Sequence, residues 1–197
     1  MHQMAAFVAI VLLPAAIAAG QTSATSWLDR PLSNWNKVTS LPNAPQPHEA
    51  HAQLINRCKV ETREFTPAWD RLKDAGWVPF LHMDRQLTLA DIEIVDGMNG
   101  ADGMCRPAPF NVFVFVGGRF AGTLSPEPMT SRLDGSVGAV RIVSAETITA
   151  EFARYGPQDP LCCPSSRVTV DFRVDRTGPT VFVMPVEIRT TRGNSKP

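Results

Sequence analysis

FNVFVFVGGRFAGTL, residues 110–124, decides the fold. In an extended chain Val112, Val114 and Val116 point to one side, Phe113 and Phe115 to the other. Both sets are apolar, so Phe110–Val116 reads as a central strand covered on both faces. Gly117-Gly118 is a two-residue hairpin signal, because the turns that suit a twisted hairpin need positive φ at the central positions. Arg119–Leu124 then returns antiparallel to the first strand.

Downstream, Ser125–Gly138 is a polar excursion with Pro126, Pro128 and Asp134-Gly135. Strand character resumes at Ala139–Val143 and Glu146–Arg154, where Ile148, Ala150 and Phe152 face in and Thr147, Thr149 and Glu151 face out. Arg167–Val174 alternates most cleanly: Val168, Val170, Phe172 and Val174 in, Arg167, Thr169, Asp171 and Arg173 out. That is a half-exposed strand of an antiparallel sheet. Thr177-Gly178-Pro179 turns the chain into a strand over Thr180–Val186, and Arg189–Pro197 reads as a polar tail.

Upstream, Trp77–His82 and Leu89–Val95 are strand candidates, and Met98–Pro109 is a Gly- and Pro-containing loop. Two helices precede them. His48–Cys58 repeats Ala50, Leu54, Ile55 and Cys58 at helical spacing. Pro67–Ala75 has Thr66 as a cap, Pro67 at the first position, Gly76 past the end, and Ala68, Trp69, Leu72 and Ala75 as its apolar stripe. Gln21–Pro47 is rich in Ser, Thr, Asn and Pro and reads as a linker or arm, with Trp27, Leu28, Leu32 and Trp35 able to lie on the domain. The expected fold is α+β, N-terminal helices packed on a meandering antiparallel sheet, in one domain over residues 48–188.

The first 20 residues contain no Lys, Arg, Asp or Glu, and Ala5–Ala19 is apolar but for Pro14. The run is short for a membrane span, which needs roughly 20 apolar residues, and Ala16-Ile17-Ala18 has the form of a signal-peptidase site. The expectation is a signal peptide over 1–20, a mature start near Ala19 or Gln21, and a periplasmic or secreted protein. Of 197 residues, 44% are hydrophobic and 19% charged, a globular balance, and Lys+Arg equals Asp+Glu at 19 each. Zero net charge argues against a sequence-independent nucleic-acid binder, which needs surplus cations.

Export places the four cysteines in an oxidising compartment, so Cys58, Cys105, Cys162 and Cys163 read as disulfides with three possible pairings. Neighbouring Cα atoms sit about 3.8 Å apart, closer than the roughly 4.4–6.8 Å of ordinary bridges. The favoured pairing therefore joins Cys58 and Cys105 each to one of Cys162 and Cys163. The alternative is Cys58–Cys105 with a vicinal bridge or two free thiols. No C-x-x-C or Cys/His zinc spacing is present.

Other chemistry is thin. His48-Glu49-Ala50-His51 spaces its histidines i, i+3, not the i, i+4 of a zinc helix. Asp96, Asn99 and Asp102 in DGMNGADG could offer oxygen ligands to calcium, but the bidentate Glu of an EF-hand is missing, and a Gly-rich turn is the plainer reading. Ser136 lies in LDGSVG, which is not a nucleophile elbow. Arg154-Tyr155 facing Asp159 reads as a loop tie or ligand contact, with Arg119 a further ligand candidate. No cofactor is implied. An enzyme or inhibitor would need a dispersed site, for which Arg119, Arg132, Asp134 and Asp159 are the candidates.

VFVFVGGRFAGTLSPEPMTSRLDG, followed by ITAEFARYGPQDPLCCPSSRVTVDF, resembles the LppP/LprE family of bacterial envelope lipoproteins and related secreted proteins. The resemblance runs from about Trp77 to Val186. Its most specific parts are the hairpin ending in Gly122-Thr123 and Arg154-Tyr155 with Asp159–Ser165. It implies an exported envelope domain without an assigned enzymatic activity. The acylated cysteine of lipoproteins does not follow the leader here, so no stable membrane anchor is expected after cleavage. Partners are an envelope component or a small molecule, and the expected role is structural or binding.

Overall fold

The computed structural model describes residues 26–46, 49–58, 66–80 and 88–192. The expected leader, His48, His82 and the end of the tail lie outside them. The protein is mostly antiparallel β. Among the described residues, two short α-helices, α1 (Glu49–Arg57) and α2 (Pro67–Asp74), precede nine strands. These are β1 (Val78–Phe80), β2 (Thr88–Leu89), β3 (Ile92–Met98), β4 (Phe110–Val116), β5 (Arg119–Thr123), β6 (Val137–Ser144), β7 (Thr147–Arg154), β8 (Ser166–Asp175) and β9 (Phe182–Arg192).

The strands form two sheets, where one was expected. The first has the order β1-β3-β4-β5, with β2 also on β3; the second is the meander β6-β7-β8-β9. The break falls in the Ser125–Gly138 excursion, which carries the chain from one sheet to the other. The inner faces share one core. Val112, Val114, Val116, Ile92 and Ile94 of the first sheet meet Ile148, Ala150, Phe152, Val168, Val170 and Phe172 of the second. Each of the Val, Ile and Phe side chains contributes about 1.5–3 kcal/mol when fully buried.

The other face of β4 carries Phe113 and Phe115, both fully buried, and packs with Trp77, Phe120 and Ala68, Trp69 and Leu72 of α2. The double-sided reading of β4 holds, and its cover is a sheet on one side and a helix on the other. Gly117 and Gly118 take φ of 54° and 72°, and Val116 pairs directly with Arg119, as a tight hairpin requires.

Pro67 opens α2 as expected. The helix ends with Gly76 N donating to Lys73 O at 2.8 Å and Trp77 N to Leu72 O at 2.9 Å, a paired closure that also stacks Trp77 near Leu72. Thr66 does not cap with its hydroxyl, which donates to the Glu93 carboxylate instead. Among the described residues, α1 supplies nothing to either core cluster.

Strand β9 runs to Arg192, into the stretch read as a polar tail. Its register against β8 extends from Asp175↔Phe182 to Ser166↔Arg192. Arg189 lies over the exposed face and pairs with Asp171, so backbone pairing, not apolar alternation, holds this end.

The arm is part of the domain. Trp27 and Leu28 are buried, Trp35 packs beside them, and the rings of Trp27, Trp35, Phe152 and Phe172 meet edge to face at 5.0–6.1 Å. Asn36, 6% exposed, lies between β5 and β9. Its Nδ2 donates to Thr123 O (2.9 Å) and Val183 O (2.8 Å), and its Oδ1 accepts Thr123 N (2.9 Å).

The favoured cysteine pairing is overturned. Cys58 bonds Cys105, with Cα atoms 5.4 Å apart, and Cys162 bonds Cys163. The end of α1 lies beside the loop after β3, within ordinary bridging distance of Cys105. That loop and the β7–β8 connection then line a common cleft instead of being clasped across it.

The two bridges act differently on stability. Cys58–Cys105 spans 47 residues of sequence, and the chain-entropy model gives such a loop about 4 kcal/mol as an upper figure. Cys162–Cys163 has a separation of one and restricts the unfolded chain little. Cys58→Ser with Cys105→Ser is expected to cost about 2–4 kcal/mol in urea unfolding, and Cys162→Ser with Cys163→Ser under about 1 kcal/mol. Equal losses from both pairs would contradict this assignment, as would a 58–162 peptide in non-reducing maps.

Candidate functional site

The Ser125–Gly138 excursion is pinned at both ends. Phe110 and Met129 exchange backbone hydrogen bonds of 2.9 and 2.7 Å, and Ser131 Oγ donates to Pro107 O at 2.8 Å. Farther on, Gly135 N donates to Ala153 O and Ala153 N to Ser136 O, both at 2.8 Å. This holds the excursion between the loop after β3 and the β7–β8 connection. Together they line a cleft of about 330 Å³ at the Phe110 end of β4.

Arg106, Arg132 and Arg167 project into its lining, with Ser131, Ser136, Tyr155 and Cys162. Arg106 is held by Asp102, whose carboxylate accepts Arg106 Nε at 2.6 Å and the Met104 and Arg106 amides at 2.8 and 3.0 Å. Burial pushes the Asp102 carboxyl up, but these donors outweigh it and hold the group below the usual carboxylate range. Arg132 and Arg167 make no ion pair or side-chain hydrogen bond among the described residues, and neither does the Ser136 hydroxyl. Arg132 takes a φ of 62°, a left-handed conformation that is unusual for a residue with a Cβ. Among the described residues, the lining contains no carboxylate and no imidazole.

The rim is a set of loop ties. Arg154 does not pair with Asp159. Its guanidinium reaches Asp134 at 3.0 Å and Asp29 at 2.8 Å, joining the end of β7 to the excursion and to the arm. The reason is local: Gly135 is already bonded to Ala153, which sets Asp134 beside Arg154. Asp134 also accepts Tyr155 N at 2.9 Å. Tyr155 Oη donates to Leu161 O at 3.1 Å, which closes its own loop. Asp159 accepts Gly156 N and Ser165 N, each at 2.7 Å, and these amides hold its carboxyl below the usual range.

Of the dispersed candidates, Arg132 alone lies in this cleft. Asp134 and Asp159 are spent on loop ties, and Arg119 sits at the other end of β4, in a separate hollow. The calcium candidates do not converge either. Asp96 lies buried inside β3, Asn99 donates to Pro45 O, and Asp102 is bound to Arg106. Arg106, Ser131 and Arg167 were not singled out in the sequence. Arg167 read as one outward residue of β8 among several, and only the excursion folded against it makes it part of a cleft.

Residues 84–177 match the family described as LppP/LprE lipoprotein. The matched segment contains β2 to β8, the vicinal bridge and every residue of the cleft. No curated protein and no solved structure matches the chain.

Proposed function

We propose, on the premise that residues 84–177 belong to the LppP/LprE lipoprotein family, that this chain is an exported envelope domain that binds an anionic group in the cleft and performs no covalent chemistry there. The observation that carries this is the pair of guanidiniums, Arg132 and Arg167, which share the cleft with the Ser136 hydroxyl and, like it, make no ion pair or side-chain hydrogen bond among the described residues. Planar guanidinium forks match the oxygens of a carboxylate or phosphate, and a hydroxyl can donate to the same oxygens. Acid–base catalysis would need a positioned carboxylate or imidazole, and the described residues of the lining offer none. The strained backbone at Arg132 supports a functional reason for that side chain, because glycine would sit there more comfortably.

Two bridges and no free cysteine suit an oxidising compartment. Among the described residues, no helix is long and apolar enough to cross a membrane. The domain is exported to the periplasm or secreted, and cell fractionation tests this.

Inorganic phosphate at low ionic strength is the first probe. It is expected to raise the melting temperature of the wild type, since a ligand that binds only the folded state stabilises it, and salt should weaken the effect. Arg132→Gly tests the residue without disturbing the fold. Its stability should stay within about 1 kcal/mol of wild type, because relief of left-handed strain offsets the added freedom of the unfolded chain. Its affinity should fall about tenfold or more. If phosphate, sulfate and acetate all leave the wild type unmoved, the anion-binding reading is wrong.

A further inference from the structure

At the Val116 end of β4 lies a second hollow, of about 410 Å³, with a different character. Its walls are Leu41 from the arm, Val116, Phe120, Pro179 and Val181. These are not stray surface residues: Val116 belongs to the core between the sheets, and Phe120 to the core under α2. The hollow therefore opens onto both apolar clusters where the first sheet ends. Its polar lining is Arg71 on α2, Arg119 at the start of β5, Thr39 and Thr180. Among the described residues, neither arginine makes an ion pair or side-chain hydrogen bond and no carboxylate lines the hollow.

We propose that this hollow binds a single-chain amphiphilic anion, with the alkyl chain against Leu41, Val116, Phe120 and Val181 and the anionic head between Arg71 and Arg119. The volume is within the range of small-molecule sites, which are mostly apolar with a few placed polar groups. The apolar wall needs a hydrocarbon, and two guanidiniums with no counter-charge among the described residues need an anion. A neutral lipid leaves the arginines unmatched, and a small inorganic anion leaves the wall wet. This assigns a ligand role to Arg119 and adds Arg71, in a site separate from the Arg132–Arg167 cleft.

The test uses the whole exported chain and dodecanoate below its micellar concentration, followed by calorimetry. Dodecanoate is expected to bind, acetate and dodecyl maltoside to bind at least about tenfold more weakly, and added salt to lower the affinity. Dodecyl phosphate in the same titration separates a fatty-acid head from a phospholipid-like one, whichever binds more tightly. Arg71→Gln with Arg119→Gln should cost about tenfold or more in dodecanoate affinity. Both side chains are exposed and make no pair among the described residues, so the unliganded melting temperature should not move. Arg132→Gly with Arg167→Gln should leave dodecanoate binding unchanged, which keeps this site distinct from the cleft. No binding of either alkyl anion overturns the proposal. So does equal binding of dodecyl maltoside, equal binding of acetate in the Arg132/Arg167 variant, which lacks the cleft arginines, or equal affinity in the Arg71/Arg119 variant.

Discussion

Asn36→Ala is expected to destabilise the protein by about 2–5 kcal/mol, although the residue lies in a Pro- and Ser-rich arm. Two buried backbone groups, Thr123 N on β5 and Val183 O on β9, lose their Asn36 partner. A buried polar group left without a partner costs about 1–3 kcal/mol, more than the net value of the bond it made. Thr123 O keeps one donor, the Trp35 indole at 3.1 Å. For a chain of this size the shift in melting temperature is roughly 5–20 °C. Thermal and urea unfolding measure it.

Gly122 supplies the control. An added Cβ there would lie 2.4 Å from Asn36 Cγ, and Gly122 holds a φ of 147°, where other residues rarely sit. Gly122→Ala should therefore be at least as costly as Asn36→Ala. Part of that cost is the collision with Asn36 and part is backbone strain. In an Asn36→Gly background the collision is gone and only the strain remains. The double-mutant cycle should show a coupling of about 0.5–3 kcal/mol. Strict additivity would mean that the amide of Asn36 does not fill the gap between the sheets.

Legibility in the sequence followed the physics of each element. Val112, Val114 and Val116 against Phe113 and Phe115, and Val168 through Val174, alternate because their side chains fill opposite faces, and both strands formed as read. The far end of β9 showed no such signal, because Arg189 and its neighbours lie on an exposed surface and are held by backbone bonds to β8. Asn36 was equally silent: one polar residue among many, its role set by contacts 87 and 147 residues away. The cysteine pairing failed for a related reason. Spacing constrains which bridges are possible but not which loops fold side by side. The cleft was half visible, through Arg132 and Tyr155, while Arg106 and Arg167 came from segments read as a plain loop and a plain strand.

A fragment cut to residues 84–177, the segment that carries the family match, is expected not to fold. It keeps every cleft residue but loses what closes the sandwich around them. Removing β9 strips β8 of a partner along ten paired positions and exposes Phe172 and Val174 to water. Removing the arm uncovers Phe152 and Phe172 by taking away Trp27 and Trp35, and takes Asn36 with it. Removing α2 and Trp77 bares Phe113 and Phe115 on the other face of β4. Cys105 also loses Cys58 and becomes an exposed thiol. Each large apolar side chain returned to water costs about 1.5–3 kcal/mol. The total stability of a domain is only about 5–15 kcal/mol, so the combined loss exceeds what the remaining contacts can supply. The expected readout is aggregation or a chain without near-ultraviolet dichroism, beside a cooperative transition for residues 26–192 under the same conditions. A soluble 84–177 fragment with a sharp melting transition and wild-type phosphate binding would show that arm, helix and β9 are accessory to a smaller folding unit.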